Sequence, residues 1–204
     1  MNGDRCNYDP QFYVEIADFS GCVSKSSIST VNLFDTLSPG IPYIENVSVD
    51  VNGKATVSWS ISTDSDFYII YLQDNNGAWI TLDTVLFGVN SYVFENSSAT
   101  TISENFTIRA LDSCSNTRAR SEVHNSIFVT YFIDECANSV DLNWNQYINW
   151  IGGVNHYNIF IQETDVLNVI TSSIIRTNSE TNLLLENLIS SSQYEVYIEA
   201  YNAD

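Results

Sequence analysis

The sequence predicts an all-β protein built from tandem β-sandwiches, and three observations lead to this prediction. Residues that favour strands are abundant, with 12 Tyr, 10 Phe and 4 Trp among 204 residues. Apolar and polar residues alternate in short runs that turn residues separate. One pattern also recurs three times, at residues 12–22, 104–114 and 194–204. Gapless alignment of the copies superimposes Val14, Phe106 and Val196, and this spacing of 92 and then 90 residues is about the length of one sandwich domain.

Residues 1–35 contain the first copy of the pattern, which a second β-rich run at residues 24–34 follows. Because turn residues separate the two runs, we expect a hairpin that forms the last two strands of a sandwich whose earlier strands are missing. The next stretch, residues 36–42, contains Pro39 and Pro42 and predicts a short, stiff linker.

Residues 43–132 are expected to form one complete sandwich of seven strands. The predicted strands cover residues 44–51, 54–60, 66–73, 78–85, 91–95, 105–112 and 123–132. In the second of these, Ala55, Val57 and Trp59 alternate with polar residues, so we expect Trp59 to lie in the core. Tyr68 lies on the apolar face of the next strand in the same way.

Residues 133–204 repeat this order and are expected to form a second sandwich that lacks its last strand. Trp144 and Tyr157 take the places of the two core aromatic residues of the first copy. The strand at residues 194–201 would then present an unpaired edge, which favours edge-to-edge association.

The charge of the chain limits its partners. The sequence has 25 acidic and 7 basic residues, a net charge of −18. Phosphate binding requires clustered Lys and Arg, so nucleic acid and anionic membrane surfaces are disfavoured as partners. No apolar run approaches the roughly 18 residues of a membrane span, so we expect no membrane insertion. The carboxylates are scattered rather than gathered in a loop of the D-x-D type, so no metal site is predicted.

The four cysteines predict disulfides and an oxidising compartment, because their number is even and the chain is rich in β-forming residues. Three pairings are possible. The shortest loops would be closed by Cys6–Cys22 and Cys114–Cys136. Each of these pairs brackets a strand that spans roughly 30 Å. Closure would therefore require the chain to fold back between the two cysteines.

The sequence contains no arrangement typical of catalysis. His124 and His156 are the two histidines, and neither follows a nucleophile motif of the G-x-S-x-G type. A sandwich of this size offers no cleft for paired carboxylates, so we expect the close acidic pairs to be solvated. These pairs are Asp64/Asp66 and Asp134/Glu135. We therefore predict a protein without catalytic residues or a cofactor.

Several features in a fixed order resemble the fibronectin type III family, whose fold is an immunoglobulin-like sandwich. They are Trp59, Tyr68 and Ala110 in the first copy, and Trp144, Tyr157, Leu188, Tyr194 and Ala200 in the second. The stretch from Leu188 to Tyr194 is similar to the corner motif of that family. The resemblance implies that the Tyr194 hydroxyl bonds back to the preceding loop. Glu104 stands at this position in the first copy, so its corner must be built differently.

A narrower resemblance concerns the fibronectin-like repeats of large secreted proteins of Bacteroidetes. It rests on Asp112-Ser113-Cys114, His124, Cys136 and the stretch from Leu142 to Tyr147. Proteins of that group often end in a gliding-motility-associated domain that the type IX secretion system recognises. The resemblance implies export to the cell surface or the extracellular space, with the signal sequence outside this chain.

These observations favour a non-catalytic structural or adhesive repeat region of an exported multidomain protein. Its partners would be neighbouring repeats and, at a surface, a protein or a polysaccharide. The alternative is an accessory carbohydrate-binding domain pair of a secreted hydrolase. Its ligand would meet Trp150 and Tyr147 in the loop that the second copy adds at residues 145–153, unless that loop packs against its own domain. Trp79 and Tyr92 are further candidates for such an aromatic platform.

Overall fold

The computed structural model describes residues 6–202, and every regular element in this part of the chain is a β-strand. The all-β, sandwich-type fold predicted from the sequence is confirmed. Three units follow one another: an N-terminal hairpin, a first sandwich and a second sandwich. Residues 1–5 of the predicted tail and residues 203–204 of the third pattern copy lie outside the described residues.

The hairpin consists of six short strands, three in each arm. They are β1 (Asn7–Tyr8), β2 (Gln11–Phe12), β3 (Glu15–Ala17), β4 (Val23–Lys25), β5 (Ser29–Thr30) and β6 (Leu33–Phe34). β1 pairs with β6, β2 with β5 and β3 with β4, so the arms form one antiparallel ribbon. Every residue of these strands is exposed. The ribbon therefore has no core of its own.

The first sandwich contains seven strands in two sheets. They are β7 (Tyr43–Val49), β8 (Ala55–Ser60), β9 (Phe67–Gln73), β10 (Trp79–Leu86), β11 (Ser91–Phe94), β12 (Asn105–Leu111) and β13 (His124–Asn125). One sheet has the order β11-β8-β7 and the other β10-β9-β12-β13, with all pairs antiparallel. The apolar side chains of β8, β9 and β12 meet between the sheets and form the core.

The core of the first sandwich is built around one aromatic pair. Ala55, Val57 and Trp59 alternate along β8 and are buried, because the pleat turns every second side chain towards the other sheet. The Trp59 ring meets the Tyr68 ring edge to face, with the centroids 5.7 Å apart. The backbone N–H of Ser62 donates to the Tyr68 hydroxyl oxygen at 2.9 Å, so this buried phenol has a hydrogen-bond partner.

The second sandwich repeats the plan with six strands. They are β14 (Val129–Asp134), β15 (Ser139–Trp144), β16 (Val154–Thr164), β17 (Ile170–Thr177), β18 (Asn182–Leu185) and β19 (Gln193–Asn202). The sheets have the orders β14-β15-β18 and β17-β16-β19. Trp144 and Tyr157 form the equivalent edge-to-face pair, with the centroids 5.6 Å apart. β19 is an edge strand within the described residues.

The run predicted as a single strand over residues 123–132 is two strands in different sandwiches. β13 pairs with β12 of the first sandwich, whereas β14 pairs along its whole length with β15 of the second. Buried Ser126 lies between them. It donates its backbone N–H to the Glu104 carbonyl and accepts the Glu104 N–H at its hydroxyl, both at 2.9 Å. The chain therefore changes sandwich at residues 126–128, earlier than the predicted boundary after residue 132.

The segment predicted as a linker, residues 36–42, contains no strand and ends against the first sandwich. Pro39 and Pro42 are buried, and the Gly40 N–H donates to the Thr63 carbonyl at 3.0 Å. The last residues of this segment are thus part of the first sandwich rather than a free spacer.

The structure corrects the predicted disulfide pairing. Cys6 is bonded to Cys114, whereas Cys22 and Cys136 are free and exposed. Cys6 lies at the base of the hairpin and Cys22 at its tip, so one extended arm keeps them apart. Cys6 instead reaches the loop that follows β12. The bond closes 108 residues of chain and therefore constrains the unfolded state more than either predicted short loop would.

Candidate functional site: the joint between the two sandwiches

The added loop at residues 145–153 leaves its own sandwich and packs against the first one. Tyr147 from this loop is 3% exposed and belongs to the core of the first sandwich. Its hydroxyl oxygen accepts the backbone N–H of Val47 at 2.9 Å. Its own backbone N–H donates to the hydroxyl of Tyr157, in the second core, at 3.1 Å. A single residue is therefore fixed to both sandwiches.

Trp150 adds a second contact from the same loop. Its ring lies against the Tyr147 ring, with the centroids 4.2 Å apart and the planes tilted by 36°. Its indole N–H donates to the backbone carbonyl of Glu45, on β7. The Ile151 N–H reaches the Tyr43 hydroxyl at 3.4 Å. The loop is thus hydrogen-bonded to the first strand of the neighbouring sandwich.

His124 lies in the middle of the joint and is fully buried. Its ring meets Tyr43 and Tyr147 edge to face, with centroid distances of 5.8 and 5.6 Å. Burial lowers the pKa of His124 to about 4, so the imidazole is neutral at physiological pH. Its Nδ1 is 3.0 Å from the Tyr147 hydroxyl. Because that oxygen already accepts the Val47 N–H, we infer that the phenol proton is donated to Nδ1.

Asparagine side chains fasten the loop to the connection between the sandwiches. Asn125 donates to the Gln146 carbonyl at 2.9 Å and accepts the Ile148 N–H at 2.9 Å. Asn145 accepts the Phe128 N–H at 2.7 Å and donates to the Ser126 carbonyl at 3.0 Å. The Asn145 bonds satisfy backbone groups of the connection at residues 126–128, and the Asn125 bonds satisfy backbone groups of the added loop.

The apolar cores of the two sandwiches meet at this joint. Ile127, Val154 and Ala200 each pack against both clusters of buried side chains. The contact therefore combines continuous apolar packing with oriented hydrogen bonds, which together resist both separation and rotation of the two sandwiches.

The two predicted ligand-binding residues have a different role in the structure. Tyr147 is buried and Trp150 is half-buried against it, so these rings do not form an open platform for a sugar. The loop packs against the neighbouring sandwich. The sequence had suggested either an exposed platform or packing against the loop's own domain, and neither interpretation predicted this contact. Of the other aromatic candidates, Trp79 lies under the Arg120 guanidinium, 5.5 Å from its ring centroid, and Tyr92 packs against the first core.

Six of the residues predicted to be structural lie in or against the two cores, whereas Cys22 and Cys136, which were also predicted to be structural, form no disulfide. Trp59, Tyr68, Trp144 and Tyr157 are buried in the cores, and Leu188 and Tyr194 pack against the second core. The Tyr194 hydroxyl accepts the Ile189 N–H at 2.9 Å, which is the corner that the family resemblance implied. In the first sandwich the Glu104 carboxylate takes this place and accepts the Ser98 N–H at 2.8 Å and the Ser97 hydroxyl at 2.6 Å.

One group of potential metal ligands occurs among the described residues, formed by Asp35, Asp112 and Cys114. The sulfur of Cys114 belongs to the disulfide and is not a thiolate. The Asp112 carboxylate already accepts the N–H groups of Cys114 and Asn116. The group is therefore the anchor of a turn, and nothing at this place indicates an ion.

The remaining polar candidates have packing or turn roles. The His156 ring stacks on Tyr201, with the centroids 4.7 Å apart. Asp66 accepts the N–H of Ser113 at 2.8 Å, and Asp134 accepts the N–H of Cys136 at 3.0 Å. No helix within residues 6–202 is long and apolar enough to cross a membrane.

Sequence inspection missed the part that His124, Asn125, Ser126 and Asn145 play in the joint. The available signal was a set of polar residues interrupting apolar runs on both sides of the predicted boundary at residues 132–133. Such residues are common in ordinary turns, so their pairing across the joint became visible only in three dimensions.

One family model matches the part of the chain that contains the second sandwich. Residues 130–204 match the family model of the fibronectin type III domain. Among curated proteins, no sequence matches the chain.

The chain also matches solved structures, among them the following three. An Fn3-like protein from Clostridium thermocellum has 15% identity and a TM-score of 0.39, over 45% of this chain and 95% of its own. The FN1–FN3 domains of chicken CNTN1 have 14% identity and a TM-score of 0.39, over 94% and 72%. A segment of two fibronectin type III domains from chicken tenascin has 14% identity and a TM-score of 0.30, over 81% and 91%. The family match covers the second sandwich, and the strand order by itself gives the described part of the chain its all-β sandwich fold.

Proposed function

We propose that this chain is a non-catalytic repeat region of an exported multidomain protein, in which β-sandwiches are held in series at a fixed relative orientation. Its task is mechanical: it sets the distance and direction between the parts of the protein that it connects. Fibronectin type III repeats are commonly structural or adhesive modules, which agrees with this role.

The joint is the observation that carries the proposal. A flexible array needs only a short polar linker between its domains. Here the second sandwich has an added loop whose Tyr147 and Trp150 enter the first sandwich, and the three connecting residues are hydrogen-bonded on both sides. The added loop fixes the angle between the two sandwiches, which a protein needs when it has to hold the domains on either side in a set position.

Export is supported by the disulfide and by the sequence resemblance. The Cys6–Cys114 bond needs an oxidising compartment to persist, which favours the cell surface or the extracellular space. The resemblance to Bacteroidetes repeats extends the proposal to type IX secretion. Surface proteolysis of intact cells, followed by thiol alkylation without reductant, tests the location. Surface-exposed protein with Cys6 and Cys114 resistant to alkylation is expected, and a cytoplasmic protein with four free thiols would refute export.

Small-angle X-ray scattering of the 204-residue chain and two tryptophan variants tests the mechanical role. Trp150→Ala removes the ring that packs on Tyr147, whereas Trp79→Ala removes a half-buried tryptophan that lies under Arg120 and is not part of the added loop. We expect one fixed conformation to fit the scattering of the wild type and of Trp79→Ala, and Trp150→Ala to require several interdomain angles. A wild-type curve that itself requires many interdomain angles would overturn the proposal.

A further inference from the structure

The first sandwich gathers positive charge in an otherwise acidic chain. Three of the seven basic residues of the sequence are Arg109, on β12, and Arg118 and Arg120, in the segment between β12 and β13. The ion pairs formed among residues 6–202 use Lys25 and Lys54 instead. Within this part of the chain the three arginines therefore have no carboxylate partner, although acidic residues outnumber basic ones 25 to 7.

Two aromatic rings on the outer surface of the sheet hold two of these arginines in place. Tyr71 alternates with the core residues of β9, and Trp79 on β10 lies on the same surface because it pairs with Gln73, two residues further along β9. The Arg120 guanidinium lies over both rings, 4.3 Å from the Tyr71 centroid and 5.5 Å from the Trp79 centroid. The Arg109 guanidinium lies 6.0 Å from the Tyr71 centroid. We call Tyr71, Trp79, Arg109 and Arg120 the basic face.

The two guanidinium groups of the basic face are held in position but lack acceptors. The Nε atoms of Arg109 and Arg120 are buried and have no hydrogen-bond partner. Their terminal Nη atoms are open to solvent and likewise donate to no group within residues 6–202. A guanidinium that stacks on an aromatic ring has its plane fixed and directs its N–H groups outward from its edge. Such a group is prepared for a planar acceptor with two oxygens, which is a carboxylate.

The fold itself does not require the basic face, because the second sandwich lacks it. Gapless alignment of the repeated pattern places Glu199 at the position of Arg109. Phe160 takes the place of Tyr71, three residues after the core tyrosine in each sandwich. The Glu199 carboxylate accepts the Tyr201 hydroxyl at 2.9 Å, so this surface of the second sandwich is not basic. The arginines therefore belong to the first sandwich alone, and packing of the common fold does not explain them.

We propose that the basic face binds an acidic segment of a protein partner, whose Asp or Glu carboxylates accept the Nη groups of Arg109 and Arg120. Charge complementarity selects the carboxylates, because these guanidinium groups have no acceptor among the described residues. The outer surface of a sheet suits a protein better than a small molecule, since small-molecule sites are concave. Arg, Trp and Tyr are also the residues enriched where protein interfaces gain most of their binding energy. This contact goes beyond the spacer role and does not depend on it.

The charge of the whole chain restricts which anion fits the basic face. The net charge is −18, so a long polyanion that lies on the arginines also meets the acidic surface around them. A protein partner avoids this repulsion, because it presents a few carboxylates within a surface that is otherwise neutral or basic. The ion pairs would lie at the surface, so rising salt concentration should weaken the contact.

The test is an NMR titration of the isotope-labelled 204-residue chain, followed through the backbone amides and the arginine Nε–Hε signals. The probe is a blocked peptide that alternates glutamate and glycine, and its neutral counterpart alternates glutamine and glycine. Oligogalacturonate represents an acidic glycan, and sodium sulfate represents a simple anion. The variants are Arg109→Gln, Arg120→Gln and Arg120→Lys, with Arg176→Gln on β17 of the second sandwich as the matched control. Thermal unfolding checks that each variant is folded, and the wild-type signals give a result that depends on no variant.

We expect the glutamate peptide to shift the Nε–Hε signals of Arg109 and Arg120 in the wild type, and the glutamine peptide to shift neither. Arg109→Gln and Arg120→Gln should each weaken binding about tenfold, since a hydrogen bond between charged groups is lost. Arg120→Lys should recover only part of the affinity, because lysine keeps the charge without the planar fork. Arg176→Gln should bind the peptide as the wild type does.

Four results would overturn the proposal. The first is a glutamate peptide that leaves the signals of both arginines unchanged. The second is an equal response to sulfate, which would make the face a general anion site. The third is tighter binding of oligogalacturonate than of the peptide, which would assign the face to an acidic glycan. The fourth is a wild-type dimer that Arg120→Gln dissociates, which would assign the face to a second copy of the chain.

Discussion

At the scale of single residues, His124 makes the free energy of unfolding depend on pH. It is fully buried between Tyr43 and Tyr147, and burial lowers its pKa from 6.5 to about 4. Between these two values the unfolded chain binds a proton on this imidazole and the folded chain does not. The free energy of unfolding therefore falls as the pH falls from 6.5 towards 4.

We expect the wild type to lose up to about 3 kcal/mol more stability between pH 7 and pH 4 than His124→Gln does. This is 2.5 pKa units (6.5 − 4) at about 1.36 kcal/mol per unit. Urea denaturation at the two pH values measures it. Desolvation, together with the Arg176 charge, also lowers the pKa of His156, so His156→Gln should reduce the pH dependence in the same direction but by less than His124→Gln. Equal pH dependence in wild type and His124→Gln would contradict this account of the joint.

The buried aromatic pair of the first sandwich gives a second prediction at this scale. Trp59→Ala removes the largest fully buried side chain and should lower the free energy of unfolding by about 3 to 5 kcal/mol. Trp79→Ala is the matched control, because that ring is only half-buried at the surface, and it should cost clearly less. Thermal unfolding of both variants provides the comparison. A near-wild-type melting temperature for Trp59→Ala would show that the ring is not in the core.

At the scale of elements, five turns share one hydrogen-bond pattern. In each, an aspartate carboxylate accepts the backbone N–H groups two and four residues later. These residues are Asp18, Asp50, Asp74, Asp112 and Asp165. The bonds favour the charged carboxylate and lower two of the pKa values, through the Ser20 hydroxyl at Asp18 and the Lys54 N–H at Asp50. Some of the excess acidic residues therefore stabilise turns.

Asp112 is the buried example, and it anchors the turn that carries Cys114. Asp112→Ala leaves several N–H groups without an acceptor and should lower the free energy of unfolding by about 1 to 3 kcal/mol. Asp112→Asn keeps one acceptor oxygen and should lose less. Chemical denaturation of the two variants measures the difference. If alanine were tolerated as well as asparagine, the turn would not depend on this carboxylate.

The hairpin is the element with the least support. Its strand residues are exposed, and it is held at its base by the Cys6–Cys114 bond. In dilute, monomeric samples we expect the amide hydrogens of residues 7–34 to exchange much faster than those of β9 or β12, because local opening disturbs few buried contacts. Hydrogen exchange followed by mass spectrometry tests this. Protection of the hairpin equal to that of β9 in a monomer would show that it has a core that the described contacts lack.

Strands that bury one face were predictable from sequence, and other features were not. The alternation of Ala55, Val57 and Trp59 encodes burial directly, since the pleat has a period of two residues. The run at residues 123–132 hides a change of sandwich, because its composition stays strand-like on both sides of Ser126. Periodicity reports how one strand is buried and does not say which sheet the strand joins.

The joint and the disulfide were beyond sequence inspection for a related reason. Tyr147 meets Val47 across 100 residues of chain, and Cys6 meets Cys114 across 108. The entropy of closure favours the two short loops, whereas the strand inside each loop opposes them, and the sequence does not say which effect is larger. The extended arm of the hairpin and the length of β12 decide which cysteines meet, and these distances exist only in the folded chain.

At the scale of the whole molecule, the hairpin and the second sandwich are fixed to opposite ends of the first sandwich. The disulfide holds one end, and the loop with Tyr147 and Trp150 holds the other. The disulfide restrains the hairpin, the packed loop restrains the second sandwich, and each is joined to the first sandwich by a short connecting segment. The two sandwiches should therefore move as one body.

Residual dipolar couplings of the backbone amides test this claim most directly, because they report the orientation of each sandwich relative to the same external frame. The wild-type chain should give one common alignment tensor, equal in magnitude and direction for residues 43–125 and residues 129–202. Two tensors that differ in magnitude or direction would show that the sandwiches reorient independently, and would contradict a rigid joint.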